Sequence, residues 1–398
     1  MITVAEALAV IARNSPSKSV ERVPLSEGLG RTLAGDIRSD VDWPPFDTSA
    51  MDGYAVRLSD LGQPGAWLPE RPGAVVAGDV PPEPIAPGEA VRVMTGAPLP
   101  DGTEAVIPVE QARREVGRVR LDAVPAAGAH LRRRAESIRS GSLLVPAGRR
   151  LTPGDLALAA LAGADPLSVV ARPRVAVVPT GNELVPARDR PRPGQIRDSN
   201  GPMLLAFCRA RGFPGRELDR VADEASGLAS LFAAAGTEED VLVTSGGVSA
   251  GDLDLLPGIA RAEGFEILFH GVSVRPGKPI AFGRRGETLW FGLPGNPVSS
   301  SVCFHLFVRF ALDCLEGSSN PGAPRICAQT TNALPEGGPR ETYRDGKLSR
   351  AGPLLRVEPL PSAGSHDIAT HARADALIRV PARAEPQPAG TPVECLLL

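Results

Sequence analysis

The chain holds five cysteines in 398 residues (Cys208, Cys303, Cys314, Cys327 and Cys395), and none forms a CxxC pair. An odd, scattered set disfavours a zinc cluster and a disulfide framework, and a reducing compartment is the natural reading. Aromatic residues make up only 4 %, too few for a base-stacking platform. With 43 basic residues against 46 acidic ones, the net charge is -3. The basic footprint of a nucleic-acid binder is therefore missing, and no nucleic-acid partner is expected. Lysine is scarce: Lys18, Lys278 and Lys347 stand alone, and the other basic residues are arginine. A lysine inside a motif carries extra weight for that reason. The most apolar long stretch, 298–315, is interrupted by His305, Arg309 and Asp313. A soluble, cytoplasmic chain with no membrane partner is expected. The opening MITVAEALAVIARNSPSK has no basic region ahead of its apolar stretch, so it does not read as a signal peptide.

What is abundant is glycine and proline, 43 and 41 residues, in a chain that is still 42 % hydrophobic. Their joint share, roughly a fifth, compares with about 12 % in average usage and points to many short elements, not to a coiled coil. Val4, Leu8 and Ile11 sit at helical spacing near the start. From Asp42 to about Val124 the pattern becomes short strands such as Tyr54-Ala-Val56, Ala90–Val93 and Ala105–Val109, which predicts a small β domain. The middle third alternates strand and helix: strands at Val175–Val178 and Asp240–Thr244, helices at Met203–Ala210 and Leu228–Ala235. A closing helix would place Cys303, Leu306, Phe307, Phe310, Ala311 and Cys314 on one apolar face. Such alternation implies a layered α/β sheet. The segment from about 320 to 398 reads as mostly β.

Three turn-rich loops follow predicted strands of the α/β segment: Pro179-Thr-Gly-Asn-Glu-Leu184, Thr244-Ser-Gly-Gly-Val-Ser-Ala-Gly-Asp252 and Leu293-Pro-Gly-Asn-Pro297. Ligands of open α/β sheets bind at the carboxyl ends of strands, where small residues let backbone N–H groups approach an anion. Any one loop alone reads as an ordinary tight turn; three together read as one pocket. Their spacing matches neither GxGxxG nor GxxxxGK[ST], so a standard dinucleotide or P-loop site is not supported. Glu183, Asp223, Asp252 and Asp254 accompany the loops. Hard oxygen ligands beside a phosphate cradle suit Mg²⁺, and helix N-terminal roles for Asp223 and Asp252 remain an equal alternative. Val274-Arg-Pro-Gly-Lys-Pro-Ile280 sets Arg275 and Lys278 around a rigid turn, as point charges for phosphate or another oxyanion.

PPFDTSAMDGYAVR, VMTGAPLPDGTEAVIP, the triple arginine Arg132 to Arg134, PTGNELV with GQIRDSNGPML, TSGGVSAGDLD, RPGKPIAFG, FGLPGNPVSS and the tail PSAGSHDIATHARADALIRVP together resemble the molybdopterin molybdenumtransferase family, which includes the equivalent domain of gephyrin. The resemblance runs over essentially the whole chain in the family's order. It implies a multidomain α/β plus β fold: an elongated N-terminal dimerisation domain from 1–42 and 130–170, a small β domain at 43–129, a three-layer α/β molybdopterin-binding domain at 171–319 and a C-terminal β domain at 320–398. It implies insertion of molybdate into adenylyl-molybdopterin with Mg²⁺, giving Mo-molybdopterin and AMP, by a homodimer in contact with the adenylyltransferase protein and recipient molybdoenzymes.

By motif, the resemblance gives Asp52 and Thr95 a place in the pocket of the partner subunit. Glu183, Asp223 and Asp254 take catalytic roles, the latter two on the metal. Thr180, Ser245, Gly246, Gly247, Arg275, Lys278, Pro294, Asn296 and Pro297 bind substrate. Two departures stand out. The family's Gly-Glu-Asp after the triple arginine is Ala135-Glu-Ser137 here, and the family's lysine four residues before Arg275 is Gly271, with Glu136 or His270 as candidate compensations. They keep open a pterin-binding or scaffolding paralogue with reduced turnover. Hydrolysis of a different nucleotide, as in other proteins with this α/β domain, is disfavoured by the full-length match.

Overall fold

The computed structural model describes residues 1–218, 224–234, 239–248 and 255–398. These fall into two compact units: one of residues 1–35, 147–153 and 166–398, the other of 36–146 and 154–165.

The larger unit is built on a six-stranded sheet: β1 (Val175–Pro179), β2 (Gly215–Glu217), β3 (Val241–Ser245), β4 (Glu266–His270), β5 (Ala281–Arg285) and β6 (Thr288–Leu293), in the order β2-β1-β3-β6-β5-β4. The first four in that order are parallel, and β5 pairs antiparallel with both β6 and the edge strand β4. β1 and β3 read VAVVP and VLVTS and are buried throughout. Continuous apolar runs of this kind are what a sheet covered on both faces demands. Alternate residues sort to the two faces: Val175, Val177, Val241 and Val243 into one core, Ala176, Val178, Leu242 and Trp290 into the other.

The first core also takes helix α1 (Val4–Asn14), which opens with a capping box between Thr3 and Glu6 and buries Val4, Ala7 and Ile11. Helix α2 (Asn200–Ala210) joins it. The second core takes Leu228 and Phe232 of α3 (Ala225–Ala234) and Leu256 and Ala260 of α4 (Leu255–Ala262).

The helical run α5 (Pro297–Leu315) departs from the single apolar stripe expected. Phe310 and Cys314 are only half-buried, whereas Val302, Phe304, Val308 and Leu312 are fully buried. Its core neighbours come from the sheet, from α1 and from the C-terminal strands, so it is enclosed on nearly every side. A π turn at Phe304–Val308 shifts the phase midway. The run is long and apolar enough to cross a membrane, with mean hydropathy 1.4, yet 89 % of that window lies inside the unit as its core helix.

The C-terminal strands β7 (Arg325–Thr330), β8 (Glu341–Ala351), β9 (Leu354–Pro359), β10 (Ala376–Val380) and β11 (Pro392–Leu397) close on themselves through β8–β10 pairing. Val274–Arg275 adds to the outside of β8 in parallel, Val274 opposite Glu341 and Arg275 opposite Thr342.

The smaller unit carries two three-stranded antiparallel sheets. One pairs Gly53–Val56 with Val91–Val93 and Ala105–Pro108; the other pairs Arg118–Leu121 with Ala66–Pro69 and Ala112–Glu115. Tyr54, Val56, Ile107, Val119 and Leu121 make their common core.

Candidate active site

Three strand ends meet. β1 stops at Pro179, β3 at Ser245 and β6 at Leu293; Pro179 stands opposite Ser245 and Ser245 opposite Leu293. The loops that follow therefore leave the sheet side by side. The strand order also reverses here, since the chain passes from β1 to β2 on one side and then to β3 on the other. This is the switch point at which open α/β sheets bind ligands.

The loops are stitched together by backbone and side chain. The Thr180 N–H donates to the Ser245 carbonyl at 3.0 Å and the Gly246 N–H to the Leu293 carbonyl at 3.0 Å. Asn200, at the start of α2, donates through Nδ2 to Ser245 Oγ at 2.8 Å and to the Gly295 carbonyl at 2.7 Å. Asp198 Oδ1 accepts from the N–H groups of Asn200 and Gly201 at 3.0 and 3.1 Å. Gly246 has φ +112, and a Cβ there would run into the Thr180 carbonyl, so only glycine lets the strands close this tightly. Gly277 has φ +111 and stands against Cys303 Sγ in the same way.

A cavity of about 970 Å³ opens above these loops, lined by Thr180, Glu183, Ser245, Arg275, Lys278, Pro294, Asn296 and Pro297, all of them expected from sequence. Gly246 and Gly247, also expected from sequence, are not part of this lining; Gly246 holds the loops together. The other wall comes from β8, the residue before it and the segment between β9 and β10: Arg340, Arg344, Asp345, Ser365 and His366. The pairing of Val274–Arg275 with β8 is what brings the RPGKP turn beside them. Asn296 Nδ2 donates to Ser365 Oγ at 2.9 Å, and the Val298 N–H donates to the Ser365 carbonyl at 3.1 Å, which ties the two walls.

The charges of this lining are unevenly partnered. Among the described residues, Arg275, Lys278 and Arg344 make no ion pair, while Arg340 donates only to the Val274 carbonyl at 3.3 Å. Of the carboxylates, Asp198 accepts the two backbone N–H groups above and Asp345 accepts from His371. Glu183 has no side-chain partner among the described residues. The excess is cationic, and it faces the cavity.

Asp223 and Asp254, with Asp252, lie outside the described residues. Asp52 and Thr95 belong to the smaller unit, where the two motifs that hold them meet: Thr95 donates to Asp52 Oδ1 through its N–H at 2.7 Å and its hydroxyl at 2.8 Å. Those bonds, the backbone one first, hold the Asp52 carboxyl below the usual aspartate range. The triple-arginine segment is paired locally. Arg133 reaches Asp47 at 2.6 Å, Arg134 reaches Asp42 at 2.7 Å, and Glu136 accepts the Arg133 N–H at 2.7 Å. Ala135 has φ +61 and Gly271 has φ +88, so the first departure places a Cβ, and the second none, in left-handed backbone. His270 Nε2 lies 3.4 Å from the Val248 carbonyl.

Sequence reasoning missed Asn200, Asp198 and the C-terminal wall. Asn200, Asp198, Ser365 and His366 lie in segments that carry the family resemblance, whereas Arg340, Arg344 and Asp345 do not, and singling them out requires knowing that β8 lies against the RPGKP turn. The dense polar run Ser362-Ala-Gly-Ser-His-Asp367 was the available signal.

Three family models cover the chain in order. They are the MoeA N-terminal region (domain I and II) over residues 2–163, a "Probable molybdopterin binding domain" over 176–313, and the MoeA C-terminal region (domain IV) over 328–398. The molybdopterin molybdenumtransferase of Bacillus subtilis is 33 % identical over 406 aligned positions, covering 100 % of this chain and 94 % of that relative. The chain belongs to the molybdopterin molybdenumtransferase family. The Synechococcus elongatus member is 38 % identical over 304 positions, 73 % of this chain and 74 % of its own. A solved structure of a molybdopterin biosynthesis MoeA protein from Pyrococcus horikoshii superposes with a TM-score of 0.82 at 32 % identity, over 100 % of this chain and 99 % of that one. The family's multidomain fold, with its α/β centre and C-terminal β domain, is thus the fold of this chain.

Proposed function

We propose that this chain inserts molybdate into adenylyl-molybdopterin, giving Mo-molybdopterin and AMP. Family membership makes it a transferase of molybdenum cofactor biosynthesis. The finer reading is carried by one observation: Arg275, Lys278 and Arg344 line a cavity of about 970 Å³ with no carboxylate paired to them among the described residues. Every substrate of this reaction is anionic. Cations held at a strand-end cradle bind such groups and stabilise charge that develops on them.

Among the described residues no group of three or more His, Cys, Asp or Glu is arranged to hold a metal. Mg²⁺ would rest on Asp223 and Asp254, whose hard oxygens suit it, and would supply polarisation of phosphate oxygens. Glu183, a wall carboxylate with no side-chain partner among the described residues, orients the attacking group. In the same reading residues 1–42 with 130–170 form the dimerisation module, 43–129 the small β domain, 171–319 the α/β domain and 320–398 the C-terminal domain. The enzyme works in the cytoplasm as a homodimer, Asp52 and Thr95 completing the partner's pocket, and it meets the adenylyltransferase protein and recipient molybdoenzymes.

The test is a mixture of purified chain, adenylyl-molybdopterin, molybdate and Mg²⁺, followed for AMP and Mo-molybdopterin. Release of AMP that depends on molybdate is expected; none at saturating substrate overturns the reading. Ser137 and Gly271 favour a second reading, a pterin-binding paralogue, which predicts tight molybdopterin binding without turnover in the same assay.

A further inference from the structure

Outside the loops described above, the larger unit buries a serine, a histidine and an aspartate in line. His371 Nδ1 lies 2.7 Å from Asp345 Oδ1, and His371 Nε2 lies 2.7 Å from Ser301 Oγ. Ser301 is 0 % exposed, Asp345 5 % and His371 6 %. By distance this is a Ser-His-Asp relay, but its access is reversed. In a hydrolytic triad the serine meets the substrate and the aspartate is hidden. Here Ser301 is sealed within α5, and Asp345 is the member that lines the cavity. The arrangement therefore carries no nucleophile.

We infer that His371 is a positioning residue, a tether that keeps the Asp345 carboxylate off the cations of the cavity. Three observations support it. Asp345 shares the cavity with Arg275, Lys278, Arg340 and Arg344, and a carboxylate and a guanidinium lining one cavity attract. In the structure Asp345 pairs with none of them; its partner is the imidazole. The imidazole is in turn fixed at its far side, because Ser301 sits on α5 directly after the Pro294–Pro297 loop, whereas Asp345 sits on β8 and His371 closes the segment that carries Ser365 and His366. With Asp345 ionised, Nδ1–H donates to it and Nε2 accepts the Ser301 hydroxyl. The relay thereby fixes one wall on the other and reserves Arg344 and its neighbours for an incoming anion.

This inference rests on the anion-binding role proposed for the cavity, and the experiment separates the two. Molybdate and AMP are titrated by calorimetry into the full chain and into variants whose fold is checked by circular dichroism and thermal midpoint. His371→Gln keeps a group at the Nε2 position but loses the donor to Asp345. The released carboxylate should then turn to the arginines and weaken anion binding about tenfold, the scale of one charge-assisted contact. Adding Asp345→Asn to His371→Gln removes the competing charge and should restore binding to within about twofold of wild type, a recovery that a merely structural role for His371 would not give. His371→Asn, whose amide reaches the Nδ1 position, should also bind within about twofold. If the wild type binds neither anion, the cavity reading and the tether both fall. Should the wild type bind and His371→Gln bind as well, or should the two substitutions weaken binding additively, the tether alone is overturned. If His371→Gln does not fold, Ser301→Ala decides: a two- to threefold loss of affinity relieved by Asp345→Asn is expected, and no loss refutes the tether.

Discussion

Two arginine-rich regions of the larger unit handle the same charge in opposite ways. Around the C-terminal end of α5, Arg211 reaches Asp313 at 2.6 Å, Arg150 reaches both Asp313 at 3.3 Å and Glu316, and Arg172 approaches Glu316 at 3.8 Å. The carboxylates are nearly sealed, their side chains 3 % and 0 % exposed. Nearby, burial first and Arg211 second push the Arg309 guanidinium down to about 10. In the cavity, Arg275, Lys278 and Arg344 have no such partners among the described residues. The contrast separates two uses of a cation. Inside the protein an unpaired charge is costly, so Asp313 and Glu316 are matched to Arg150, Arg172 and Arg211, and Arg309, which forms no ion pair among the described residues, has its pKa lowered. On a cavity wall, cations without a carboxylate partner among the described residues suit the anionic ligand proposed above.

If that distinction is right, breaking each region harms a different property. Asp313→Ala should have the largest effect, because it leaves Arg211 and Arg150 short of a partner and removes the acceptor of the Gly322 N–H, 3.0 Å away. A loss of about 3–5 kcal/mol is expected for one member of a buried pair, read from urea denaturation, with anion affinity unchanged in the folded fraction. Lys278→Ala should do the reverse: AMP release falls about 10²-fold, the scale of one lost transition-state contact, while the urea midpoint stays where it was. A wild-type rate in that variant would remove Lys278 from the site. Asn200→Ala lies between the two, since Asn200 binds both Ser245 Oγ and the Gly295 carbonyl. Stripping donors from buried acceptors costs about 1–3 kcal/mol. Because the acceptors belong to the strand-end loops, a raised KM should accompany the lower stability.

The cavity floor was legible in the sequence and its second wall was not, for a physical reason. Glycine and proline mark where backbone must turn or approach closely, so Pro179–Leu184, Thr244–Gly247 and Leu293–Pro297 announce themselves within a few residues. The strands between them announce themselves too, as the buried runs at Val175 and Val241. Arg344, Asp345 and His371 carry no local mark. Their role depends on β8 receiving Val274–Arg275 as a neighbour and on His371 meeting Ser301 seventy residues away in the chain. Pairings of that separation leave no periodicity to read. The all-round burial of α5 was hidden likewise: an apolar stripe at helical spacing reports one buried face, and only packing among the sheet, α1 and the C-terminal strands reveals the others.

The smallest expected effect concerns a third way of holding charge, exposed and held chiefly by hydrogen bonds, with Arg92 only a minor influence. Asp52 accepts two hydrogen bonds from Thr95, and these hold its carboxyl below the usual aspartate range. Thr95→Ala deletes the hydroxyl and leaves the backbone donor, so the Asp52 pKa should rise part of the way back. For a carboxyl depressed in the folded state, the linked stability is present above the unfolded pKa and is lost as pH falls through the folded value. The wild type should therefore be slightly more stable than the variant near neutrality and lose that margin on acidification, the difference vanishing once Asp52 is protonated in both. Carbon-detected NMR titration of the Asp52 carboxyl measures the shift directly. An unmoved pKa would assign the whole effect to the Thr95 N–H, and Asp52 would then be held by backbone alone, as Asp198 is held at the N-terminus of α2.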